Sequence, residues 1–151
     1  MDSRVDTYRH IATVQACLHR VIADLMHRQE VHDASKLSSP EVEVFDEFTP
    51  KLAHSTYGSE EYKGFLAAMK PALDHHYANN RHHPEYFPDG IRGMSLLDIV
   101  EMLCDWKAAT LRHNDGDIRR SIEINQKRFG YSDELKQIML NTLSVLEQGG
   151  S

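Results

Sequence analysis

Apolar residues recur along this chain at helical spacing almost from end to end. Ile11, Val14, Leu18, Val21 and Leu25 advance in steps of three and four, which predicts an amphipathic helix over residues 4–27. Residues 31–39 are polar and irregular. Ser39-Pro40-Glu41 then predicts a helix start, with serine as N-cap and proline at the first helical position, running to about Ala53. Gly58-Ser59-Glu60-Glu61 opens the next helix, which Pro71 kinks or restarts. Its end falls near Asn80, because Pro84 disfavours helical backbone at His83.

Residues 84–94 hold Pro84, Pro88, Gly90 and Gly93 and read as loop. Ser95-Leu96-Leu97-Asp98 is a capping-box variant opening a long helix to about His113. Asn114-Asp115-Gly116 is a turn. Asp117 caps a helix to Phe129, where Gly130 stops it, and Ser132 caps a last helix to about Glu147. No alternating β-branched run competes. The fold class is all-α, a bundle of about six helices in one domain covering residues 1–151.

Composition narrows the function. The chain has 23 acidic and 17 basic residues, so a nucleic-acid-coating role is disfavoured. No apolar run is long enough for a bilayer, and the N-terminus lacks a signal-peptide core. Cys17 and Cys104 are isolated, which argues against a disulfide framework or a Cys-rich zinc site and for the cytoplasm. Histidine is in excess: ten residues, four of them between His75 and His83. Such clustering points to metal or proton chemistry.

Three features could carry that chemistry. His32-Asp33-Ala34-Ser35-Lys36 places an imidazole beside a carboxylate, a donor pair suited to Mn, Fe, Co, Ni or Zn more than Ca. Alone, the dipeptide reads as readily as a helix cap beside a surface histidine. Asp74-His75-His76-Tyr77-Ala78-Asn79-Asn80-Arg81-His82-His83-Pro84-Glu85 is harder to attribute to solvent decoration. His76 shares a helix face with Leu73 and Asn80, so its ring is expected to face inward. Asp98, Glu101 and Asp105, joined by Arg112, share one stripe of an otherwise apolar helix. Asp98 already has a capping role, which leaves Asp105 the better ligand candidate; a plain solvated stripe is an equal reading of the three. On the first helix only His10 lies near the apolar stripe; a satisfied core histidine is the competing reading for it.

These pieces resemble the HD superfamily of metal-dependent phosphohydrolases over residues 10–110. That family uses a first His, a His-Asp dipeptide and a distant Asp on a later helix, which here would be His10, His32 with Asp33, and Asp105. Lys36 stands where many members carry lysine, although the common glycine before it is Ser35. Two-metal members add two histidines in between, and the stretch His75–His83 occupies that place. The chain also looks like a group of small HD-like proteins of phages and bacteria, with His-Asp-x-Ser-Lys at 32–36, His-His at 75–76 and Asn-x-His-His-Pro-Glu at 80–85.

The resemblance implies one or two divalent ions (Mn, Fe, Co, Ni, Zn or Mg) held by His10, His32, Asp33, His76, His82 and Asp105. Which two of the four clustered histidines are ligands stays open; His76 and His82 are the expected pair. It further implies attack of an activated water on the phosphorus of a nucleotide or related small phosphate ester. Asp33, Lys36 and His83 are the expected catalytic groups, with His83 as the leaving-group acid. Lys36, His75, Arg81 and Arg112 are the expected phosphate contacts. A homo-oligomer is compatible with the resemblance. Two other classes fit the same residues: an HD-type di-iron oxygenase, and a non-catalytic helical metal-binding or interaction module.

Overall fold

A computed structural model describes residues 3–56, 59–112 and 115–147. Among these the chain forms seven α-helices, three short 3₁₀ segments and no strand. The helices are α1 (Arg4–Val31), α2 (Glu41–His54), α3 (Glu60–Ala68), α4 (Lys70–Asn79), α5 (Leu96–Thr110), α6 (Ile118–Phe129) and α7 (Asp133–Glu147). The 3₁₀ segments are Ala34–Leu37, Pro84–Tyr86 and Gly90–Gly93. No described helix is long and apolar enough to cross a membrane. The proposed helix-opening Gly58, the turn residue Asn114, and His113 lie outside the described residues.

The chain divides into two compact units, Met1–His32 and Asp33–Ser151. The first is the single helix α1. It runs four residues beyond the expected end, and His32 caps it by donating its backbone N–H to the Arg28 carbonyl at 2.8 Å. Ion pairs one turn apart support its surface, Arg28 with Asp24 at 2.6 Å and Arg9 with Asp6 at 3.5 Å. No residue of α1 is buried, which corrects the expectation that its apolar stripe lies in a core.

The second unit holds a core built by α5, α6 and α7. Ile99, Met102 and Leu103 of α5 meet Ile118 and Ile122 of α6, Tyr131, and Met139 and Leu143 of α7. Each helix contributes residues three or four apart, the spacing that puts them on one face. The expected caps are present. Ser95 Oγ accepts the Asp98 N–H at 3.2 Å while Asp98 Oδ2 accepts the Ser95 N–H at 2.8 Å. Asp117 Oδ1 accepts from Arg119 N–H at 2.9 Å, and Ser132 Oγ from Leu135 N–H at 3.2 Å. Gly130 ends α6 at φ +70°, a backbone state that costs glycine nothing.

Helices α2, α3 and α4 pack together, with the 3₁₀ segment Ala34–Leu37 against both α2 and α4. Pro71 restarts the chain, so one expected helix becomes two, α3 and α4, joined at the buried Met69. The start of α2 differs from expectation. Pro40 precedes the helix, and the Ser38 carbonyl accepts the first two N–H groups, from Glu41 at 3.1 Å and Val42 at 3.0 Å. That carbonyl does the capping expected of Ser39. The stretch 84–94 contains two 3₁₀ turns that pack on each other. Helix α5 ends at Thr110, three residues short of the expected His113.

Candidate metal centre

Four side chains of the second unit converge. One donor atom from each of Asp33, His76, His82 and His83 lies within 4.8 Å of every other. Asp33 precedes the 3₁₀ segment at φ 55°, a left-handed backbone that Asp tolerates better than most residues. This bend sets its carboxylate against the last turn of α4. Asp33 Oδ1 lies 3.3 Å from His76 Nε2 and 3.3 Å from His82 Nε2. His76 sits on α4 and is 2% exposed; His82 follows the helix, at 1%. His83, in extended backbone, returns its ring so that Nε2 is 3.0 Å from His76 Nε2.

Two ring nitrogens at that separation need a proton or a cation between them, because their lone pairs repel otherwise. Three imidazole nitrogens and one carboxylate oxygen form a mixed N/O donor set of the kind that binds Zn, Fe, Co, Mn or Ni. The residues present therefore fit a divalent ion.

The outer contacts have the same logic. His76 Nδ1 lies 2.9 Å from Glu41 Oε2, and His82 Nδ1 lies 3.3 Å from Glu101 Oε1. In each ring one nitrogen meets a carboxylate and the other turns to the centre, the arrangement that orients metal-binding histidines. Glu41 is fully buried. It also meets His75 Nδ1 at 2.7 Å and accepts from Ser35 Oγ at 3.1 Å. Asn80 donates to Ser35 Oγ at 2.8 Å and to the His76 carbonyl at 2.8 Å, closing the network.

The electrostatics follow from these contacts. Burial opposes charge on Asp33, but the neighbouring His76 and His82 rings and the Lys36 ammonium, which donates to Oδ2 at 2.6 Å, outweigh it and hold the carboxyl far below its usual range. Glu41 is likewise lowered, burial being outweighed by hydrogen bonds from His75, Ser35 and His76. Burial and the neighbouring His82 and His76 push His83 down to about 3, against the pull of Asp105 and Asp33. His83 is thus neutral at pH 7, as a ligating imidazole must be.

The residues expected from sequence are distributed as follows. Asp33, His76 and His82 come together, and His83, expected as an outer group, joins them at the same distance. Asp105 stands beside them, its Oδ2 4.0 Å from His82 Nε2. Lys36 Nζ contacts Asp33 Oδ2 at 2.6 Å. His75 is held by Glu41. Arg81, expected at phosphate, makes a two-pronged pair with the fully buried Asp98, at 2.8 and 3.1 Å. Arg112 lies exposed after the end of α5. His10 and His32 belong to the first unit, His10 exposed on α1 and His32 at its C-cap.

Sequence reasoning missed Glu41 and left Glu101 as one member of an acidic stripe. Nothing local marks Glu41, which lies in the first turn of a helix like many surface glutamates. Glu101 had a weak signal, since it sits one turn before Asp105.

The described residues thus form an all-helical protein whose second unit gathers a His/Asp donor cluster. The chain belongs to DUF5662, a family of unknown function whose model matches residues 1–148. No curated protein and no solved structure matches it.

Proposed function

We propose that the protein is a divalent-metal-dependent phosphohydrolase acting on a nucleotide or related small phosphate ester. The observation that supports this most is the convergence of Asp33, His76, His82 and His83, with buried Glu41 behind one ring and Glu101 behind another. The resemblance of His32-Asp33, Lys36 and the later histidines to the HD superfamily supplies the reaction class.

A divalent ion held by these donors would supply Lewis acidity, easing deprotonation of water and neutralising phosphoryl oxygens. The chain's own groups do the rest. Asp33 remains ionised and contributes an oxygen donor. The ring of His76 is fixed by Glu41 and that of His82 by Glu101, which limits reorganisation when a ligand arrives. Lys36, partly exposed beside Asp33, holds that carboxylate and presents an ammonium to an incoming phosphate. Arg81, half-exposed and fixed by Asp98, gives the rim near His82 a second positive charge.

The test is phosphate release from a panel of nucleotides and p-nitrophenyl phosphate by protein loaded with Mn, Co or Zn. Release that a chelator stops, and that Asp33→Ala abolishes, is the expected result. Fully loaded protein that releases no phosphate from any member refutes the reading. Oxygen uptake by the iron-loaded protein would move it to the oxygenase class.

A further inference from the structure

We infer that Glu41 is the positioning carboxylate of this centre: it holds the adjacent His75 and His76 both with the proton on Nδ1, leaving a lone pair on each Nε2. The inference deepens the metal-centre reading and rests on it only for its consequence for metal affinity.

Counting donors and acceptors leads to this assignment. The Asn80 amide has two hydrogens and two good acceptors, Ser35 Oγ and the His76 carbonyl, both at 2.8 Å. Ser35 receives from Asn80 and so directs its own hydrogen to Glu41 Oε2. An ionised carboxylate only accepts. His75 Nδ1 at 2.7 Å from Oε1 and His76 Nδ1 at 2.9 Å from Oε2 must then both carry hydrogen. In that arrangement each hydrogen of Asn80, Ser35 and the two Nδ1 atoms has an acceptor. The Asn80 nitrogen also lies 3.1 Å from His76 Nδ1, but its two hydrogens are already directed elsewhere.

The consequence is chemical. With its proton on Nδ1, His76 offers the Nε2 lone pair to Asp33's side of the ring, where His82 and His83 also converge. His75 is 40% exposed in its side chain, so its Nε2 is an acceptor available to an acid or a cation from solution. One carboxylate thereby sets two neighbouring imidazoles to different tasks. A glutamine at 41 has the same shape but presents an amide N–H₂ on one side. That side would face a ring Nδ1 and drive its proton to Nε2, closing that ring to ligands.

The experiment uses the full chain, labelled with ¹⁵N-histidine, metal-free at pH 7.5. Long-range ¹H–¹⁵N correlation spectra report which ring nitrogen is protonated, with His75→Ala and His76→Ala giving assignments. Co(II) titration then reports affinity. Expected are Nδ1–H forms for both rings in wild type and an Nε2–H form for the ring that faces the amide in Glu41→Gln.

An Nε2–H ring at His76 in wild type overturns the inference without any variant having to fold. So does a folded Glu41→Gln in which both rings keep the Nδ1–H form. Wild type with both Nδ1–H forms but no Co(II) binding sinks the metal-dependent reading and leaves the tautomer assignment standing.

Discussion

The Nδ1 atom of His76 meets Glu41 Oε2 at 2.9 Å, while Nε2 of the same ring meets Asp33 Oδ1 at 3.3 Å. The ring is a bridge between a wholly buried carboxylate and one at the open side of the cluster. Such a bridge is costly to assemble for stability alone, since burying Glu41, His76 and His82 desolvates several polar groups.

Asp33 has both a backbone and a side-chain role, and two substitutions separate them. Asp33→Asn keeps a residue that tolerates φ 55°, whereas Asp33→Ala adds a penalty of about 1 kcal/mol from the left-handed backbone. Both variants should lose most metal by elemental analysis. Only the alanine variant should show the backbone cost beyond the common loss of the carboxylate contacts, as a lower urea midpoint in the metal-free state.

Metal removal should lower stability. An ion present at about 100 times its Kd adds about 2.7 kcal/mol to a folded state that alone binds it. Thermal melts with and without a chelator should therefore differ for wild type. They should coincide for the double variant His82→Ala, His83→Ala, because two of the four converging donors are gone.

Arg81 and Asp98 form the link between the histidine segment and α5. Asp98 is fully buried and also closes the capping box. Arg81→Ala removes the counter-charge and should cost about 2 kcal/mol, less than a wholly buried pair because the arginine side chain is half-exposed. Arg81→Lys should recover only part, since one ammonium cannot reproduce the two-pronged contact. Urea unfolding of the three proteins measures this directly.

Tyr131 gives the fold an alkaline limit. Its buried hydroxyl donates to the Ile122 carbonyl, and burial raises the phenol above the ordinary tyrosine value. The folded pKa exceeds the unfolded one, so this contribution is intact below about pH 10 and declines as pH rises beyond it. Tyr131→Phe should cost about 1 kcal/mol at pH 7 and flatten the decline above pH 10. Chemical denaturation at pH 7 to 11 is the measurement.

The sequence by itself determined the helices, most of their ends and the place of the unusual chemistry. Ser95 with Asp98, Asp117, Ser132 and Gly130 act within one turn of their own backbone, so their roles are local and readable. The restart at Pro71 and the density of histidines between His75 and His83 are equally local. What only the tertiary structure decided is which groups meet. Glu41 is 35 residues from His76 and is one of 23 acidic residues, with no nearby pattern to distinguish it. Its role exists because α2 packs on α4 and removes that one carboxylate from water. The inclusion of His83 also depends on the extended backbone after α4, which returns its ring toward His76. Helical periodicity specifies a face of one element, whereas a ligand set requires several elements to agree at distances of a few ångströms, and packing alone enforces that.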